Sequence, residues 1–205
     1  MFSLKLLEST AQITKEILKN ILKEANNYFK KRTSKIRENV SLAVYESVYN
    51  SPEMQSIRGG VLRLDFGITF DPTTEIARAV AESVSIDFKD FKAVSNNISS
   101  GLSVNIQPQD YLNVLSVPGS VVITEKGATL PWLEWLTLYG NQIIIADFGV
   151  EYKSGVGRTG GAHMVVSTRP FKVNSSFAGT AEDNFITRAI EAALPKIQTA
   201  IENSL

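Results

Sequence analysis

The sequence predicts an α+β domain, an antiparallel sheet of about four to five strands with N-terminal helices and a C-terminal helix packed on it. Three observations lead there. Apolar residues recur at three- and four-residue intervals over residues 10–50 and again over 181–204, the period of an amphipathic helix. Between them, over residues 84–168, the period falls to two, as in half-buried strands. Finally, the strands are grouped instead of alternating with helices, which favours an antiparallel sheet over a parallel one. At 205 residues the chain has the length of one domain with a sizeable core.

Taken in order, Ile13, Ile17, Ile21, Leu22, Ala25 and Phe29 place one helix at Thr10 to Lys31. At 1.5 Å per residue it reaches about 33 Å, more than a small domain needs, which leaves part of its stripe for a neighbour. Lys31-Arg32-Thr33-Ser34 reads as a polar break with Thr33 or Ser34 capping a second helix through Ile36, Val40, Ala43, Val44 and Val48. Asn50-Ser51-Pro52 ends that helix and Gly59-Gly60 marks a second hinge. A third helix is expected from Asp71-Pro72, with Asp71 as cap and Ile76, Ala77, Val80 and Val84 facing inward, stopping near Ser83.

Strands are expected over Val84–Phe88, Leu102–Ile106, Ser120–Thr124, Asn141–Phe148 and Ala162–Ser167, with a Ser- and Asn-rich connection from Ala93 to Gly101. Leu130 to Leu136 reads as a short helix bearing Trp132 and Trp135. Thr180-Ala181-Glu182-Asp183 approximates a capping box before the last helix, which Pro195 should kink or interrupt.

Composition excludes several classes of function. Twenty-one basic and 21 acidic residues give zero net charge, so no global field attracts a polyanion such as nucleic acid. The chain has no cysteine, and therefore no disulfide, thiolate metal site or thiol nucleophile. Its apolar runs are far shorter than the roughly 20 residues of a membrane span, and Met1 to Leu7 lacks the pattern of a signal peptide.

Candidate chemistry is sparse, and no catalytic, cofactor or metal site is expected. His163 is the single histidine and falls within an expected strand. Asp147 and Glu151 are four residues apart, about 13 Å along a strand, too far to share a proton. Gly155-Val156-Gly157-Arg158-Thr159-Gly160-Gly161 has the glycines of a phosphate loop, but a strand pattern follows it where a helix is required. It reads instead as a hairpin loop with Arg158 at its tip. Aromatic residues near loops (Trp132, Trp135, Tyr139, Phe148, Tyr152, Phe171 and Phe177) suit anchoring positions of a protein interface. The candidate assembly contacts are thus Gly157, Arg158, Thr159, Trp132, Trp135, Phe171 and Phe177.

The order of segments resembles the tail-completion, or neck, proteins of tailed bacteriophages. The resembling features are the charged N-terminal helix, Ser51-Pro52 followed by Gly60-Val61-Leu62-Arg63, Asp147-Phe148-Gly149-Val150-Glu151-Tyr152, Arg169-Pro170-Phe171 and the amphipathic C-terminal helix. The Gly157-to-Gly161 turn and the segment Phe177 to Arg188 are similar to parts of phage virion proteins of uncharacterised role. The resemblance implies a non-enzymatic ring of subunits in the virion, usually six- or twelve-fold, made in the host bacterial cytoplasm and contacting copies of itself and other connector and tail proteins. The helix Pro72 to Ser83 and the segment Phe177 to Arg188 depart from the completion-protein pattern. Two readings therefore stay open beside it: a tail terminator, baseplate or decoration protein, and a small-molecule-binding enzyme using His163, Asp147 and Arg158.

Overall fold

A computed structural model describes residues 9–94 and 97–205. The expectation for Met1 to Leu7, and residues 95–96 of the expected Ala93-to-Gly101 connection, lie outside the described residues.

The chain opens with one helix, α1 (Thr10–Tyr49), 40 residues long and about 60 Å from end to end. Ser9 and Gln12 close its first turn in a capping box. The break expected at Lys31 to Ser34 is absent, which corrects the two-helix reading. Thr33 donates its hydroxyl back to the Phe29 carbonyl at 3.1 Å, as threonine does inside a helix, so it does not cap a new one. Arg32 lies over the Tyr28 ring and donates to the Ser204 carbonyl, so tertiary contacts occupy the polar residues.

Where a turn was expected after Asn50, two short helices follow, α2 (Pro52–Gly59) and α3 (Val61–Phe66). Pro52 ends α1 and also begins α2, since it suits a first helical position, and Ser51 caps it by accepting from the Met54 amide. Gly67, at φ 65°, closes α3 in the left-handed conformation. Helix α4 (Thr73–Glu82) follows; Asp71 accepts from both the amide and the hydroxyl of Thr73, and the helix stops at Ser83.

The antiparallel pairing is present, but the single sheet of four to five strands is not. Among the described residues three separate two-stranded sheets take its place, each joining neighbours in sequence. The first pairs β1 (Ser85–Val94) with β2 (Asn97–Asn105), with a register shift between Lys89 and Lys92. After a four-residue helix α5 (Leu112–Leu115) come β3 (Val122–Ile123) and β4 (Thr129–Leu130), then α6 (Trp132–Leu138). The third hairpin pairs β5 (Phe148–Tyr152) with β6 (Ala162–Val166). The expected strand Asn141 to Phe148 fails because Gly140 (φ 57°) and Asp147 (φ 60°) take left-handed conformations at its two ends. Its three isoleucines make a single bridge, Ile145 to Phe171.

The last helix, α7 (Phe185–Glu202), is capped by Asn184, which accepts from the amides of Ile186 and Thr187, and not by Thr180 to Asp183. Those four residues form the preceding turn, closed by the Thr180 amide on the Asp183 carbonyl at 2.7 Å. Pro195 does not interrupt α7: the ring lies on the exposed side, while Ala193 and Ile197 stay buried on either side of it.

One core cluster unites the helices. Its largest fully buried side chains include Trp132, Phe185, Ile36, Met54, Ile57 and Leu62. Every buried residue of α1 lies at Ile36 or beyond. The 26 residues of α1 before it, roughly 39 Å of helix, run outside the core. The β1–β2 hairpin lies against this stretch, where Phe29 stacks on Phe88 with centroids 5.6 Å apart. Asn26 clamps the hairpin by accepting from the Phe91 amide at 2.6 Å and donating to its carbonyl at 3.2 Å, and Lys30 pairs with Asp90 at 2.9 Å. This stretch of α1 and its hairpin form an arm.

Candidate functional site

Among the described residues two places stand out for exposure combined with specific chemistry. One is the arm. Ile17 and Ile21, one helical turn apart, are 54% and 56% exposed, and Tyr28 continues the line. Toward the hairpin, Leu18, Leu22 and Ala93 floor a groove of about 510 Å³ whose rim carries Lys15, Lys19, Lys23 and Lys30. The 3.6-residue period puts lysines and isoleucines on different sides of the same helix.

The other is a cleft of about 720 Å³ between α3, the β3–β4 turn and the β5–β6 hairpin. Asp65, Glu125, Lys126, Arg158 and His163 line it, with Leu64, Leu130, Val150 and Met164 as apolar wall. The Tyr152 hydroxyl donates to the Asp65 carboxylate. Burial pushes the Asp65 carboxyl above its ordinary value of 3.8, and the hydrogen bond from Tyr152 pulls the other way. Burial and the adjoining carboxylate push the Tyr152 phenol upward as well. Across the hairpin, Glu151 and His163 are register partners, with Nε2 3.5 Å from the Glu151 carboxylate. The His163 Nδ1 and the Thr159 hydroxyl are buried atoms without a hydrogen-bond partner among the described residues.

The loop that follows β5 is folded onto this cleft. Gly157 (φ 68°) approaches so closely that a Cβ there would lie 1.8 Å from the Ala162 carbonyl. Arg158 donates to the Ile123 carbonyl at 3.3 Å and lies over Gly67, where an added Cβ would meet its Nε at 2.9 Å. Arg158 lies in the expected hairpin loop, exposed yet held by these contacts.

The expected contact residues thus divide. Trp132, 0% exposed, donates its indole N–H to the Gly119 carbonyl at 3.0 Å and belongs to the core. Phe171 is also buried; with Phe66 and the half-buried Trp135 it forms an aromatic cluster. These two are corrections: aromatic residues near chain turns filled the interior because α6 and the segment after β6 fold inward. Phe177 is half-buried against the core, Gly157 and Arg158 line the cleft, and Thr159 follows them in the loop, half-buried. His163 and Arg158 share the cleft, but Asp147 precedes β5 at the opposite end of the hairpin from Glu151 and Tyr152. The sequence reading missed Asp65, whose partner Tyr152 is 87 residues away. It also missed the pairing of Glu53 with Arg188, 2.7 Å apart between α2 and α7, where the buried Glu53 carboxylate meets a guanidinium that also holds Asp183 at 2.8 Å.

Among the described residues no group of three or more His, Asp or Glu side chains is placed to hold a metal ion. No described helix is long and apolar enough to cross a membrane. No protein-family model, curated protein or solved structure matches the chain.

Proposed function

We propose that the chain is a structural subunit of a tailed-bacteriophage particle, a ring-forming neck or tail-completion protein that joins the portal end of the head to the tail. The observation that carries this reading is the arm. A solitary domain gains little from the helical turns ahead of the Asn26 clamp, where Ile17 and Ile21 face water, whereas a subunit packed between copies buries them. The resemblance in segment order supports the station in the particle, and the three short hairpins offer unpaired strand edges to neighbours. Native mass measurement of the chain, alone and mixed with portal and tail proteins, tests the proposal. Closed multimers, and the chain's presence in purified particles, are expected. A strictly monomeric chain missing from particles refutes it.

A second reading rests on the cleft. A raised Asp65 carboxyl, an imidazole and a guanidinium around about 720 Å³ would suit a small polar ligand. It predicts a ligand-induced rise in melting temperature that Arg158→Ala abolishes. No such rise across a panel of charged metabolites would remove it.

A further inference from the structure

The chain is neutral as a whole, but its charge is divided. Residues 10–35 of α1 carry seven Lys and Arg against two Glu, a net charge of +5. The hairpin residues 85–105 carry two of each sign. Residues 36–84 and 106–205 together hold eleven basic and sixteen acidic side chains, a net charge of −5. Arm and body are therefore electrostatic complements of equal size. Arm-to-arm pairing sets +5 against +5, whereas an arm on another copy's body neutralises both. A polyanion that approached the arm would also meet the repulsion of the acidic body, which argues against nucleic acid as the occupant of the lysine-rimmed groove.

We infer that the groove floored by Leu18, Leu22 and Ala93 and rimmed by Lys15, Lys19 and Lys23 receives the Glu38–Leu42–Glu46 stripe of a second copy of this chain. This rests on the proposed self-assembly and names the contact that performs it. Leu42 is 58% exposed in the last quarter of α1, and Glu38 and Glu46, one turn to either side, are also exposed. The two glutamates lie about 12 Å apart along the helix, the same rise that separates Lys15 from Lys23. An apolar knob flanked by acids thus meets an apolar floor flanked by bases in matching register. Lys15, Lys23 and Glu38 have no ion-pair partner in their own chain among the described residues, and Glu46 has only a 4.0 Å approach to the exposed Lys196. Donor and acceptor are different parts of the surface, so the contact propagates head to tail and closes into a ring when the rotation permits.

The absence of cysteine makes the contact directly trappable. Lys19 and Leu42 lie on one helix, about 35 Å apart, so a disulfide between cysteines placed there can form only between chains. The full-length double variant Lys19→Cys/Leu42→Cys, oxidised at micromolar concentration, is expected to give a covalent ladder absent from each single variant. Adding Lys15→Glu and Lys23→Glu should abolish the ladder, and adding Glu38→Lys and Glu46→Lys as well should restore it. A ladder that stops at dimer keeps the contact and refutes the ring. No ladder from a chain whose wild type is multimeric by native mass refutes the contact alone, and no ladder from a monomeric wild type refutes both. Retention of the wild type on duplex DNA at 0.15 M salt, lost in Lys15→Glu/Lys23→Glu and without a ladder, reassigns the groove to a polyanion and overturns the inference.

Discussion

The ion pair between Glu53 and Arg188 offers a double-mutant cycle whose outcome follows from burial. The Glu53 side chain is 6% exposed while Arg188 is 37% exposed, so the two partners are unequally dependent on each other. Arg188→Met strands a carboxylate in the interior and should cost roughly 3 kcal/mol, the lower end of the range for breaking a buried pair, because part of the guanidinium is already in water. Glu53→Met leaves Arg188 with solvent and Asp183, which is 71% exposed, and should cost about 1 kcal/mol. With both positions methionine no charge is left unpaired, and stability should return to within about 1 kcal/mol of wild type, a coupling of roughly 3 kcal/mol. In a chain of this size each kcal/mol moves the melting temperature by about 2–4 °C, so Arg188→Met should fall about 6–12 °C by circular dichroism. Single variants that both lie within 0.5 kcal/mol of wild type would refute the reasoning, since the pair would then behave as a solvated surface contact.

Other expectations follow from single contacts. Trp132→Ala should destabilise by roughly 3–5 kcal/mol in urea unfolding, because a fully buried indole is removed and the Gly119 carbonyl loses its donor; a surface-like loss below about 1 kcal/mol would restore Trp132 as an interface residue. The folded chain holds the Asp65 proton more tightly than the unfolded chain does, so this group favours folding below about pH 3.8 and that contribution is lost as pH rises through its raised value. Asp65→Asn should therefore gain stability relative to wild type between pH 4 and pH 7, measured as melting temperature, and a difference that does not change with pH would contradict this. Gly157→Ala places a Cβ against the Ala162 carbonyl at a positive φ and should cost about 1–3 kcal/mol; an unchanged melting temperature would show the loop to be loosely held after all.

Much of the helical framework was legible because periodicity reports directly on burial. The stripe Ile36, Val40, Val44 and Val48, the start of α4 after Asp71-Pro72 and the buried face of α7 were all readable as spacing. The polar run at Lys31 to Ser34 misled because its partners, Ser204 and the Tyr28 ring, come from distant sequence or from the helix itself. Two-residue alternation found strands but not their partners. The isoleucine run before β5 failed as a strand because backbone turns at both of its ends override propensity, and strand order is a tertiary property. At the cleft, His163 and Arg158 stood out as residue types, whereas Asp65 gains its character only when Tyr152 is folded over it. The arm was half visible: the excess length of the first helix indicated an unmet face, but its charge opposition to the body required knowing where the core begins.

The central claim is that the stretch of α1 ahead of Asn26 serves assembly and not the fold, and removal of residues 1–24, which keeps the Asn26 clamp on Phe91, tests it most directly. This deletion spares Phe29, its contact with Phe88 and every buried residue of α1. Native mass spectrometry of the shortened chain, read beside its melting curve, should show a folded monomer where the full chain forms multimers. A shortened chain that keeps the full-length multimer would contradict the account.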